Sequence, residues 1–110
     1  MTEDVQAKIS EYYSKLYPDR EGQRISEVED ITSGWEAQLL TYVVDYQEAG
    51  QTVREERVIR LFLGNYATSK AEGEYRVIAR LFEAGFPAPE LFHLETDASY
   101  LGGPFIVMEY

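Results

Sequence analysis

The sequence has no cysteine, a single histidine, and half as many basic as acidic side chains. Without cysteine there is no disulfide, no thiolate metal site and no thiol nucleophile, and His93 alone cannot build a histidine-rich metal centre. His93 is therefore read as an ordinary strand residue. Twenty acids against ten bases give a formal net charge of −10. Such a surface repels phosphate backbones and anionic lipid, so neither nucleic acid nor a membrane surface is expected as a partner, and any phosphate site must be built locally. No apolar run approaches the ~18 residues of a membrane span, and Met1 leads straight into Thr2-Glu3-Asp4 with neither the basic nor the apolar region of a signal peptide. The expected location is the cytoplasm.

What is present argues for a folded core. Hydrophobic residues make up 45% of the 110 and aromatics 14%, which excludes disorder in spite of the charge. The length suits one domain that buries about two-thirds of its unfolded surface. Val5, Ile9, Tyr12, Tyr13 and Leu16 recur at helical spacing after a Thr2 that can cap, until Tyr17-Pro18 stops the helix. Residues 19–23 read as a polar connector. The period then changes to that of strands over 25–32, 39–46 and 53–63, an antiparallel meander with a turn at Glu48-Ala49-Gly50-Gln51. Ser69-Lys70-Ala71-Glu72 has the capping-box pattern of a second helix that runs to about Ala84, with Gly85 as its cap and Pro87 beyond. Two more strands follow at 91–95 and 104–110. The fold class is α+β: a five-stranded antiparallel sheet with one helix packed on it, plus an N-terminal helix, with residues 1–24 as helix and connector and 25–110 as the main unit.

Two charged residues stand in apolar rows. In Val58-Ile59-Arg60-Leu61-Phe62 alternation puts Arg60 on the face of Val58 and Phe62. On the second helix Val77, Ile78, Leu81 and Phe82 form an apolar stripe, and one turn back along it lies Glu74. Each is oddly placed alone, and the two make sense as a pair, since an unpaired ion out of water costs several kcal/mol. The plainer alternative keeps Arg60 at a sheet edge with its head in solvent and gives Glu74 only a helix-dipole role. Ser33-Gly34-Trp35-Glu36-Ala37 likewise reads either as a simple hairpin turn or as a phosphate cradle, and Trp35 either as part of that loop or as a core residue at a strand end.

Taken together, Ile31-Thr32-Ser33-Gly34-Trp35-Glu36, Val58-Ile59-Arg60-Leu61, the stretch from Glu74 to Leu81, Gly85-Phe86-Pro87-Ala88-Pro89-Glu90-Leu91 and Gly103-Pro104-Phe105-Ile106-Val107-Met108-Glu109-Tyr110 resemble the N-terminal lobe of the aminoglycoside phosphotransferase family, relatives of choline kinase and the protein kinases. The resemblance implies ATP as cofactor, with Arg60 on the α and β phosphates and paired to Glu74. It further implies Val58, Ile31 and Met108 around the adenine, the Glu109 carbonyl on the adenine amino group, and Ser33 and Gly34 over the phosphates. Ala37 departs from the polar amide common in the family. No His-x-Asp catalytic motif is present, so the resemblance implies no catalytic residue and no metal ligand in this chain, with magnesium and most of the small-molecule acceptor site in an absent C-terminal lobe. The chain is then expected to be a piece of a larger kinase that transfers the ATP γ-phosphate to a small-molecule hydroxyl, cut at the hinge and inactive alone. An apolar surface around 105–110 and the first helix is expected to drive self-association. The competing readings are a freestanding acidic interaction module and a degenerate, non-catalytic kinase relative.

Overall fold

The computed structural model describes residues 2–32 and 37–110. The chain runs α1 (Thr2–Leu16), β1 (Glu21–Asp30), β2 (Ala37–Glu48), β3 (Gln51–Phe62), α2 (Ala67–Glu83), β4 (Leu91–Glu95) and β5 (Phe105–Glu109). The strands form one antiparallel sheet in the order β1-β2-β3-β5-β4. The α+β class and the five-stranded sheet are as expected. No helix among the described residues is long and apolar enough to cross a membrane.

Each face of the sheet has its own helix. Ile9, Tyr12 and Tyr13 of α1 are buried with Ile25, Leu40, Tyr42, Val44, Ile59, Leu61, Phe105 and Val107. Burial of a large apolar side chain contributes about 1.5–3 kcal/mol before the entropy of ordering it, so these residues hold the helix firmly. Tyr12 stacks edge-on against Phe105 with ring centroids 4.9 Å apart. The hydroxyls of Tyr13 and Tyr42 meet at 2.7 Å, which satisfies both inside the core. Burial pushes the Tyr13 phenol up to about 12, so this contact stays neutral. At the end of α1 the Arg20 guanidinium lies between the rings of Tyr17 and Tyr46, 3.7 and 3.8 Å from their centroids.

The opposite face carries Phe62, Ala71, Ile106 and Met108, with Val58, Tyr75 and Leu91 packed around them. Here α2 is held lightly. Ala71 is its one buried residue, while Val77, Leu81 and Phe82 are 58%, 40% and 48% exposed. The expected core-facing stripe is thus largely a surface: the helix meets the sheet through Ala67, Ala71 and Tyr75 of its first half, and its later turns run past the covered area. The expectation of an apolar surface around 105–110 and α1 is also corrected. β5 lies between β3 and β4 with a helix-covered layer on either side, so Phe105 to Met108 are buried and only Glu109 and Tyr110 at its end are exposed.

Element ends differ where tertiary pairing overrides local signals. β1 begins inside the expected connector, because Glu21 pairs with Gln47 and Gly22 takes a φ of 62° at an irregular step in the register. α2 begins before the capping box: Tyr66, at a φ of 64° and without a side-chain cap, accepts the Lys70 N–H at 3.0 Å. Its other end follows the expected Gly85, whose N–H reaches the Phe82 carbonyl while that of Phe86 reaches Leu81. The expected cap at Thr2 lies outside the described side chains.

Gly103 permits the close approach that brings β5 into the sheet. A Cβ there would lie 2.3 Å from the Phe62 carbonyl oxygen, whereas one on Gly73 in α2 would meet nothing within 4 Å. Gly103→Ala is expected to destabilise the fold by about 1–3 kcal/mol, and Gly73→Ala to stabilise it by about 0.5–1 kcal/mol, both read from urea midpoints.

His93 gives the fold a pH dependence. Its Nε2 and the Tyr17 hydroxyl are 2.7 Å apart, and burial, then the neighbouring Arg20, holds the imidazole below its ordinary 6.5. Arg57 acts in the same direction and Glu95 against it. In the interval between the lowered folded value and the ordinary one, the unfolded chain binds the extra proton. Stability is therefore complete above about 6.5 and declines as the pH falls through that interval. His93→Gln should flatten this slope in urea midpoints taken between pH 7.5 and 5.5, conditions set with reference to the ordinary imidazole value; an unchanged slope would contradict the assignment.

Candidate functional site

The register of β3 decides which side chains meet. Arg60 sits opposite Leu39 of β2 and Ile106 of β5, and Val58 opposite Thr41 and Met108. Directly paired residues of an antiparallel sheet share a face, so Arg60, Val58, Leu39, Thr41 and Met108 line the same side. That side is the one on which α2 packs. Continuing the β1–β2 pairing one step, Ile31 donates its N–H to the Leu39 carbonyl at 2.9 Å and is itself 48% exposed on that side.

Across the gap, Arg60 Nε lies 2.5 Å from Glu74 Oε1, each side chain about 30% exposed. The edge-and-dipole alternative for these two residues is thereby set aside. Arg60 Nε is buried, and although the ionic contact is close its N–H is not aligned for a hydrogen bond, so the attraction is chiefly electrostatic. Because Glu74 engages Nε, the four N–H groups on the terminal nitrogens remain as donors. The guanidinium also lies 5.3 Å from the Phe62 ring centroid. A cation braced by a carboxylate, beside a row of apolar side chains, is suited to an anionic group carried on a flat apolar body.

Other expected residues fall around this pair. Met108 is buried opposite Val58. Glu109 is tied twice to the start of β4: its N–H donates to the Glu90 carbonyl, and its Oε1 accepts the Glu90 N–H, both at 2.9 Å. Ser33 and Gly34, with Trp35 and Glu36, lie outside the described residues. Leu39 and Thr41 belong to the same face and were not singled out from the sequence. The signal for them was register, since counting across the β2–β3 turn places Leu39 opposite Arg60.

Beyond Val58 the face continues into a shallow cavity of about 150 Å³ lined by Glu27, Glu29, Thr41, Tyr42, Val43, Glu56 and Tyr110. Its carboxylates make it unsuited to phosphate, whereas the end at Arg60 carries a positive charge. Among the described residues no cluster of three or more acidic or histidine side chains could hold a metal ion.

A family model described as the phosphotransferase enzyme family matches residues 27–110. No curated protein matches it. The matched segment begins within β1 and contains the whole face just described, while α1 lies outside it.

The pair is neither fully buried nor free in solvent, and its strength should lie between those limits. Glu74→Gln is expected to destabilise the fold by about 1–2 kcal/mol. In a double-mutant cycle with Arg60→Met the coupling should be about 1 kcal/mol. Zero coupling would mean that water screens the contact.

Proposed function

The chain belongs to the phosphotransferase enzyme family, and from that premise we propose that it is the ATP-binding N-terminal lobe of an enzyme moving the γ-phosphoryl group of ATP to a small-molecule hydroxyl. The observation that carries this reading is the contact of Arg60 with Glu74 on the face shared with Val58, Leu39 and Met108. In kinase-like lobes a cation on the third strand holds the α and β phosphates and is itself held by a carboxylate on the next helix. Arg60 takes that role here. Its forked guanidinium has donors for phosphate oxygens while Nε faces Glu74, which a lysine ammonium could not do with the same fixed geometry.

The apolar residues then form the base site. Val58 and Met108 make its floor, Ile31 and Leu39 the wall toward β1 and β2, and the Glu109 carbonyl accepts from the adenine amino group. The two bonds from Glu109 to Glu90 brace that residue. Ser33 and Gly34 are assigned to the phosphates. In the reaction the acceptor oxygen bonds to the γ phosphorus as the bond to the β–γ bridging oxygen breaks, and the hydroxyl proton passes to a base. The reading assigns that base, the acceptor site and magnesium to a C-terminal lobe after Tyr110, where magnesium would neutralise charge on the phosphates. The cytoplasm, where ATP is abundant, is the setting this implies.

Isothermal titration of the chain with ATP tests the assignment. Arg60→Ala should weaken binding about 10- to 100-fold, the loss expected for a charge-assisted contact. In a protein that includes the second lobe, turnover should fall with it. Equal ATP affinity in wild type and Arg60→Ala would refute the role of Arg60. In the protein that includes the second lobe, no ATP affinity with the ion pair intact would identify a non-catalytic relative.

A further inference from the structure

The exposed end of the β1–β2 hairpin poses a mechanical problem. Ile31 is half exposed and Leu39 only partly buried, so core packing does not fix them, yet both stand on the Arg60 side where a base would rest. Backbone hydrogen bonds have to hold them instead, and regular pairing in β1 ends at Asp30, opposite Leu40.

Side chains continue the pairing beyond that point. Asp30 Oδ1 accepts the Thr32 N–H at 2.9 Å and the Thr32 hydroxyl at 2.5 Å, and Oδ2 accepts from Gln38 Nε2 at 2.8 Å. The Thr32 oxygen in turn accepts the Leu39 N–H at 3.0 Å. In a regular antiparallel pair Leu39 would return its N–H to the Ile31 carbonyl in exchange for the bond it receives. Here the Thr32 hydroxyl takes that place, acting as donor to Asp30 and acceptor from Leu39 at once.

We infer that Asp30, Thr32 and Gln38 form a positioning clasp that holds Ile31 and Leu39 against the nucleotide base, an inference that rests on the ATP reading above. Alternation supports the division of roles. Asp30, Thr32 and Gln38 fall on one face of the hairpin, and Ile31 and Leu39 on the other with Arg60. A carboxylate so close to a triphosphate would repel it if it shared the Arg60 side. Turned to the opposite face, and supplied with three donors, it serves as a fixed acceptor. The hydrogen bonds from the Thr32 side chain, the Thr32 backbone and Gln38 hold its carboxyl below the usual range, so it remains ionised and acceptor-only at neutral pH. The clasp does not touch the phosphates. It acts on base recognition through the two apolar residues.

Thr32→Val keeps shape and strand preference and removes the hydroxyl, and Thr32→Ser keeps the hydroxyl. Titrating the chain with ATP and with inorganic tripolyphosphate, which has no base, separates a role at the base from a general loss of structure. Thr32→Val is expected to bind ATP about three- to tenfold more weakly, on the scale of one lost hydrogen bond. It should also lose hydrogen-exchange protection at the Leu39 amide and bind tripolyphosphate as the wild type does. Thr32→Ser should restore ATP affinity and protection. Wild-type ATP affinity in Thr32→Val, or an equal loss for ATP and tripolyphosphate, overturns the clasp while leaving the ATP reading standing. Failure of the wild type to bind ATP, both as this chain and in the protein that includes the second lobe, overturns both.

Discussion

The twelve-pair register between β2 and β3 is the constraint on which the rest of the molecule depends. Side chains alternate along a strand, so a slip of one residue would turn Arg60 into the aromatic layer under α1 and leave Ile59 facing Glu74. Two things prevent this. The turn at Ala49 and Gly50, with both residues at positive φ, fixes the count from one end. The burial of Ile59 and Leu61 against Tyr42, Phe105 and Val107 fixes it from the other. The placement of a charged residue beside α2 is therefore decided by apolar residues on the reverse face. β5 extends the same logic, since its pairing with β3 brings Met108 opposite Val58.

Charge works locally against the character of the whole. A chain with a formal net charge of −10 is a poor host for a polyanion unless one cation is held where its field is not cancelled. Arg54 shows the contrast: it is paired with Glu27 and lies near Asp45, with half its side chain in solvent. Among the described residues Arg60 has one carboxylate partner and apolar neighbours, with its Nε buried. The lower dielectric around it strengthens its attraction for an incoming anion, and Glu74 offsets the cost of keeping the cation there.

The sequence made this pair legible because a charge in an apolar row is conspicuous in either periodicity. It made β2 far less informative. Leu39-Leu40-Thr41-Tyr42-Val43-Val44 is nonpolar or nearly so on both faces, and such a run does not disclose which side chains look toward which helix. Leu39 and Thr41 were lost for that reason. The start of β1 was hidden because Glu21-Gly22-Gln23 has no strand character of its own and is extended only by pairing with the end of β2. The capping box at Ser69 was a true local signal overridden by a helix that begins a little earlier at Tyr66. The exposure of Val77, Leu81 and Phe82 was out of reach as well, since periodicity identifies an apolar face and leaves open whether the sheet extends far enough to cover it.

The two helices consequently contribute in different ways. α1, outside the matched segment, supplies Ile9, Tyr12 and Tyr13 to one dense aromatic layer and is fastened at its end by Tyr17 with His93 and Arg20. Moving it would break several large contacts together. α2 fully buries Ala71 alone, with Ala67 and Tyr75 partly buried against the same layer, a smaller apolar contact than that of α1. The ion pair then supplies a larger share of what holds α2 than it would on a well-packed helix, and the same carboxylate that seats α2 also orients Arg60. A displacement of α2 and a misplacement of the guanidinium are thus one event.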